Sequence, residues 1–403
     1  MQYFVVQLKK GKEVSLMRKH PWVFSGAIHS LPKGLKDGDI VEVCAADKSY
    51  LGRGHYQSGG SIAIRMITFE HVEINEAFWN EKIANEKKYR QASGLPSSAT
   101  NTYRLIHGEG DGVPGLIIDI YNNIAVIQCH TLGVLKDASH IANALKHNFP
   151  NDVDTIYMRS KDTMPDQTSI SESDKFIMGN SEETVVKEYD IQFKINVVTG
   201  QKTGFFLDQR ENRNLVSMYA KNKKVLNCFC YTGGFSLYAL AGGASQVVSV
   251  DISQKAVDLM DENVLLNNFA DRHTSHCANV MHYLTDKTLP EYDVVIVDPP
   301  AFAKSHHKRH NAVQAYKRLN ALALQKVSNG GLLFTFSCSQ VVNTQLFYDT
   351  IVAAGIEAGK KIRVLHSLSQ GPDHPINLFH PEGHYLKGLV LYVEDENTSD
   401  NGI

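Results

Sequence analysis

From about residue 190 onward, short apolar runs alternate with helical segments: "KKVLNCF", "SQVVSVD", "YDVVIVD" and "GGLLFTFS" are each followed by a polar or glycine-rich loop. Such runs have no polar face, so the strands they form must be covered on both sides, and the intervening helices do the covering. The pattern predicts a parallel sheet in an α/β layer fold. Ligands on such sheets bind outside the carboxyl ends of the strands. The loops after these four runs are therefore where chemistry is expected.

The first loop, in "CFCYTGGFSLYAL", holds Gly233 and Gly234, and the next run ends at Asp251, seventeen residues past Gly234. A strand, a glycine turn, a helix and a second strand ending in an acid suit a nucleoside cofactor, with the acid on the ribose hydroxyls. The G-x-G-x-x-G spacing of nicotinamide enzymes is missing. In "DVVIVDPPAFAKS", Asp298 ends a strand, where an acid often serves only as a cap. The two prolines after it fix φ and remove two backbone donors, giving a stiff loop suited to the edge of a planar base. Similar loops that methylate amino groups carry an aromatic residue in the fourth place. Here that residue is Ala301, with Phe302 one place later.

The last run, "GGLLFTFSCSQ", delivers Cys338. Consecutive parallel strands usually pair, with ends about 4.8 Å apart, so Asp298 and Cys338 are expected to face one pocket. Carbon 5 of a pyrimidine is too poor a nucleophile to attack a sulfonium methyl unaided, and a thiolate added at carbon 6 activates it. A free thiol titrates near ~8.5, so positive charge nearby is expected to help. Between Asp298 and Asp349 there is no acidic residue, while Lys304, Lys308, Arg309, Lys317, Arg318 and Lys326 are basic. That stretch reads either as a solvated face or as a surface for a polyanion.

The 403 residues suggest two or three domains. No apolar run nears the ~18 residues of a membrane span, and "MQYFVVQLKKGKEV" carries no signal-peptide pattern, so a cytoplasmic protein without membrane contact is expected. Six scattered cysteines (44, 129, 228, 230, 277 and 338) make neither a disulfide framework nor a zinc set, and no metal is expected. A net charge of -2 does not by itself announce a nucleic-acid binder. Residues 1–73 read as short strands of a small barrel or sandwich, and residues 75–92 as a helix. A hairpin is expected around "YNN" and a helix at "LKDASHIANALKHNF"; His107, Glu109 and Asp111 in "HGEGDGVPG" read as turn residues. The closing "EDENTSDNGI" reads as an acidic tail.

With these motifs assembled, the chain closely resembles the bacterial 23S ribosomal RNA cytosine-C5 methyltransferase I family. The likeness rests on "RKHPWVFSGAI", "YRLIHGEGDGVPGL", "GQKTGFFLDQRENR", "VLNCFCYTGGFSLYAL", "VVSVDIS", "VDPPAF", "LLFTFSCS" and "DHPINLFHPEGHYLKG", in order along nearly the whole length. It implies a Rossmann-like class I methyltransferase domain at 191–393, preceded by a small β-barrel PUA domain for RNA at 1–74 and a mixed α/β central domain at 75–190, with a tail at 394–403. S-adenosylmethionine is the implied cofactor and 23S ribosomal RNA the implied partner; homodimerisation is left open. Position by position, Cys338 matches the nucleophile and Asp298 the residue on the cytosine edge. Thr232, Gly233 and Asp251 match the cofactor loop and ribose acid, and Gln209 and Arg210 of "LDQR" match a signature flanking the cofactor. Asn279 stands where the family has an aspartate that accepts from the adenine amino group; an amide oxygen can also accept. Other RNA cytosine-C5 methyltransferases carry a second cysteine after the motif prolines, absent here, which leaves Asp373 and His374 as candidates in product release or as turn residues. Two rival readings stay open: a guanine-nitrogen rRNA methyltransferase, and an RNA-binding protein with an inactive methyltransferase domain.

Overall fold

The computed structural model describes residues 3–164, 174–303 and 305–396. Lys304 of the basic stretch and residues 397–403 of the expected tail lie outside the described residues. The chain divides into two compact units: one of Met1–Glu188, Ile195–Leu207 and Pro372–Gly383, the other of Tyr189–Lys194, Asp208–Gly371 and His384–Ile403.

The first unit opens with a six-stranded sheet whose strands run Phe4–Leu8, Trp22–Phe24, Ile28–Ser30, Ile40–Cys44, Tyr50–Tyr56 and Ile62–Thr68. Alternation decides its faces: Val6 and Leu8 are buried while Val5 between Phe4 and Val6 is exposed, and Val41, Val43, Ile64 and Met66 complete the core. The helix Glu76–Ala92 follows, with Asn75 Oδ1 accepting from Phe78 N at 3.1 Å as its cap. It buries Trp79, Ile83, Glu86 and Arg90, steps of four, three and four that make one helical face. A five-stranded sheet, Thr102–His107 through Asp174–Met178, has a core of its own around Leu105, Ile118, Ile127 and Ile141. Its hairpin turns at Asn122, φ +56°, as "YNN" predicts.

The turn loop around His107 has a structural job. Arg90, fully buried, donates Nη1 and Nη2 to Asp111 at 3.2 and 2.5 Å, and Asp111 Oδ2 also accepts from His107 N at 2.6 Å. Satisfying a buried guanidinium in this way matters, because leaving one partner bare would cost about 3–5 kcal/mol. Asp373 and His374 belong to this unit as well. Asp373 Oδ2 accepts from Arg104 N at 3.0 Å, and its Oδ1 lies 3.1 Å from His374 Nδ1.

The second unit holds a seven-stranded sheet: β1 (Lys224–Cys228), β2 (Gln246–Asp251), β3 (His273–Cys277), β4 (Tyr292–Val297), β5 (Val327–Ser337), β6 (Lys360–Leu368) and β7 (Lys387–Asp395). Their order is β3-β2-β1-β4-β5-β7-β6, with the first five parallel and β7 antiparallel to both neighbours. β4 and β5 pair directly, Val297 opposite Thr335. Glu394 and Asp395, read from the sequence as tail, lie within β7. The helices are α1 (Arg210–Tyr219), α2 (Gly234–Ala241), α3 (Gln254–Leu266), α4 (Val280–Leu284), α5 (Arg309–Leu324) and α6 (Thr344–Ala358). Leu226, Val295, Val297 and Leu333 pack with Tyr316 and Phe347 into one core, where Cys228 is a buried thiol whose pKa is raised by burial. The chain order reverses between β1 and β4, which opens a crevice at their carboxyl ends.

Candidate active site

The loop after β1 is held in an unusual shape. Phe229, Tyr231 and Gly233 all have positive φ, at +59°, +46° and +84°. For residues with a Cβ this costs about 1–2 kcal/mol each, and such strain persists only where surrounding bonds fix it. Here Asp251, at the end of β2, accepts from Tyr231 N at 2.9 Å and from Ser253 N at 2.9 Å, and Cys230 N donates to Val250 O at 3.2 Å. Asn263 Nδ2 on α3 donates to Thr232 O at 3.2 Å. The loop is thereby bent back over the sheet edge. Gly233 is required for two reasons: its φ, and a Cβ there would lie 2.6 Å from Met260 Cγ.

This cradle fits a nucleoside cofactor. Thr232 is 2% exposed and its Oγ1 has no partner among the described residues, so a buried hydroxyl waits for a ligand atom. Asp251 carries two backbone donors and, with roughly four lone-pair sites on a carboxylate, has capacity left for ribose hydroxyls. Asn279 caps α4, its Oδ1 accepting from His282 N at 3.1 Å. That bond takes one lone pair of its oxygen and leaves the other.

Asp298 leaves β4 beside this cradle's strand, and Cys338 leaves β5, the next strand across. Gln209 Nε2 donates to Asp298 Oδ2 at 3.0 Å, and Gln209 Oε1 accepts from Asn212 Nδ2 at 2.6 Å, so the amide is locked from both ends. "LDQR" thus contacts the motif acid. Arg210 is buried beside it, with Nε 3.2 Å from Glu211 Oε1. Asp208, one residue before Gln209, accepts from Tyr385 Oη at 2.6 Å through Oδ2, while its buried Oδ1 has no hydrogen bond among the described residues.

The electrostatics bind these groups together. Burial, with Asp208 adding to it, pushes the Asp298 carboxyl up to about 7, against the Gln209 hydrogen bond and Arg213. Cys338 is pushed up to about 11, first by burial and then by Asp298 and Asp208. The cation that opposes this is Lys387 at the start of β7. Among its described residues the basic stretch does not supply the cation acting on the thiol. Lys326 is buried on Asp286 O, Lys317 pairs with Glu357, and Lys308, Arg309 and Arg318 point to solvent. Asp208, Tyr385 and Lys387 were missed as individual residues, although they stand inside "GQKTGFFLDQRENR" and "DHPINLFHPEGHYLKG".

Among the described residues, His20, His380 and Glu382 of the first unit bring donor atoms within 4.8 Å of one another. His20 Nδ1 accepts from Trp22 N at 3.2 Å, which puts the hydrogen of the neutral ring on Nε2, the atom facing Glu382. Glu382 Oε2 lies 3.7 Å from Nε2 of both histidines, and among the described residues neither ring nitrogen of His380 has a hydrogen-bond partner. No helix among the described residues is long and apolar enough to cross a membrane.

A largely parallel sheet with a strained glycine loop, an acid ending the next strand and an Asp-Pro-Pro edge is the arrangement of an S-adenosylmethionine-dependent methyltransferase. Comparison with known proteins agrees. Residues 166–375 match the S-adenosylmethionine-dependent methyltransferase family and residues 6–69 match a PUA-like domain. Two proteins named ribosomal RNA large subunit methyltransferase I align along nearly their whole length. That of Pseudoalteromonas atlantica is 38% identical over 397 residues, 96% of this chain and 99% of its own; that of Aeromonas salmonicida is 39% identical over 399 residues, 96% and 98%. The chain belongs to the ribosomal RNA large subunit methyltransferase I family. The same fold is present in a candidate SAM-dependent methyltransferase from Streptococcus mutans, with a TM-score of 0.82 at 23% identity, covering 96% of this chain and 100% of that one. A second solved structure, also of a candidate methyltransferase and in complex with SAH, has the same score and identity and covers 97% and 100%.

Proposed function

We propose that the chain methylates carbon 5 of a cytidine in 23S ribosomal RNA, with Cys338 as nucleophile and Asp298 on the base edge. The observation that carries this reading is the exit of Asp298 and Cys338 from adjacent parallel strands, close enough that the carboxylate raises the thiol's pKa. Membership of a large-subunit rRNA methyltransferase family supports the substrate class.

S-adenosylmethionine, when bound at Thr232, Gly233 and Asp251 with Asn279 toward the adenine, supplies an electrophilic methyl group. Everything else falls to the chain. Cys338 gives its sulfur lone pair to carbon 6, which makes carbon 5 enamine-like. Asp298 is held up to about 7, so near neutral pH a large fraction is a carboxylic acid that can donate to ring nitrogen 3. Gln209 fixes the orientation of that carboxyl, and the negative Asp208 keeps its proton on. Loss of the carbon-5 proton and expulsion of the thiolate then restore Cys338. The PUA-like domain, read as residues 1–74, would bind RNA ahead of a central domain at 75–190 and the methyltransferase domain at 191–393. The cytoplasm is the compartment where such a substrate is found.

Mass spectrometry of 23S rRNA from cells with and without the protein tests the reading. A 5-methylcytidine lost with the gene and not restored by Cys338→Ala is the expected result, with cofactor binding by that variant unchanged. Full activity of Cys338→Ala would overturn the mechanism. Guanine-nitrogen methylation needs no thiol and leaves the position of Cys338 unexplained.

A further inference from the structure

Lys387 is almost entirely buried, 4% exposed, and among the described residues no carboxylate pairs with it. Its ammonium is held by two backbone carbonyls, Ser339 O and Tyr385 O, each at 2.7 Å. A buried cation held only by neutral acceptors is a costly arrangement, and it is expected where an anion forms beside it. The sheet says which anion. Lys387 is the register partner of Ser337, across the antiparallel β5–β7 pair, and its Nζ bonds to Ser339. It therefore runs alongside Cys338, the residue between those two. Two of its three ammonium hydrogens are engaged and one is left.

We propose that Lys387 is the positioning residue that takes and returns the proton of Cys338 during the thiol's attack on and release from the base. The inference rests on the nucleophile assigned above and deepens it. In the forward direction the neutral amine accepts the thiol proton, the sulfur lone pair forms the S–C6 bond, and the displaced π pair is met by the proton that Asp298 gives to nitrogen 3. On release, after methyl transfer to carbon 5, the carbon-5 proton leaves to solvent and its C–H pair re-forms the C5=C6 double bond; the S–C6 bond breaks with its electron pair returning to sulfur, the ammonium hands the proton back to sulfur, and nitrogen 3 returns its proton to Asp298.

The groups facing the thiol fit this division. Asp298 at the end of β4 and Asp208 ahead of α1 both disfavour a thiolate; Tyr316 on α5 lies near but is neutral at physiological pH; a backbone hydrogen bond at Cys338 favours the thiolate, and among the charged groups acting on it Lys387 on β7 does so too. Burial lowers the Lys387 ammonium to about 8, so a useful fraction is neutral amine in the physiological range. A lysine left near its ordinary value would be a poor acceptor there.

The test is the pH profile of alkylation at Cys338 by iodoacetamide, read by mass spectrometry on the peptide that contains it, with methylation of a cytidine-containing rRNA fragment measured in parallel. In Lys387→Met the alkylation midpoint should rise by about one pH unit, slowing alkylation at pH 8 about tenfold, while calorimetry shows cofactor binding unchanged. An unshifted profile in that folded variant overturns the proposal, since a mere brace between β5 and β7 would leave the thiol's titration alone. Should Lys387→Met not fold, Lys387→Arg decides: a guanidinium keeps the charge but takes up no proton in this range. It should retain Cys338 alkylation and lose methylation at least tenfold, and wild-type methylation by Lys387→Arg would overturn the proposal. Activity in Cys338→Ala would instead overturn the nucleophile assignment, a result separable from either.

Discussion

Asp298 has opposite effects on activity and stability. Its carboxyl holds its proton to about 7 in the folded chain, against an ordinary value of 3.8. The native state thus binds more protons than the unfolded one between those limits, and stability falls as pH rises through that window. Asp298→Asn should raise the melting temperature at pH 8 and leave it nearly unchanged at pH 3, measured by thermal denaturation, while methylation drops about a hundredfold or more. Asp208→Asn removes a neighbouring negative charge, so it should shift the alkaline fall in the methylation rate to lower pH, visible in a kcat/KM profile. The partnership of Asp298 and Cys338 was legible because it needs only strand ends in consecutive order. Lys387 was not, since one basic residue among 41 acquires its role only when β7 lies antiparallel against β5, nearly fifty residues after Cys338.

Elements explain why the cofactor loop could be found from sequence and its shape could not. Two apolar runs around "CYTGG" mark a turn between strands, but the left-handed conformations of Phe229 and Tyr231 come from bonds to Asp251 and Val250 on the neighbouring strand. Gly233→Ala brings both a strained φ and a Cβ clash with Met260, and calorimetry should show cofactor affinity reduced at least tenfold, with the fold intact by circular dichroism. Asn279→Asp preserves a good helix cap and supplies a charged acceptor, and should tighten cofactor binding by a few fold in the same assay. Basic residues on α5 were read correctly as a one-signed stretch. Among the described residues of the stretch none acts on the thiol, because spacing along the chain does not say which side chains turn toward the strand ends and which end on Asp286 O, on Glu357 or in solvent.

At the scale of the molecule, the sequence shows strands, helices and their order but gives no local sign that residues 372–383 belong with the N-terminal unit. "PDHPINLFHPEG" looks like an ordinary loop between β6 and β7. It supplies Asp373 to Arg104 N, and the Asp373 carbonyl to Arg90 at 3.3 Å. Asp373→Ala should therefore lower the melting temperature by several degrees, with kcat unchanged at low temperature; a fall in kcat without a loss of stability would give Asp373 a chemical role instead. A ribosome making this chain releases the first 188 residues long before that segment emerges. Arg90 must wait for a carbonyl that lies 283 residues further along the chain. The N-terminal unit cannot be completed early, cut out at residue 188, or freed by a stop codon before residue 372 without losing part of its own interior.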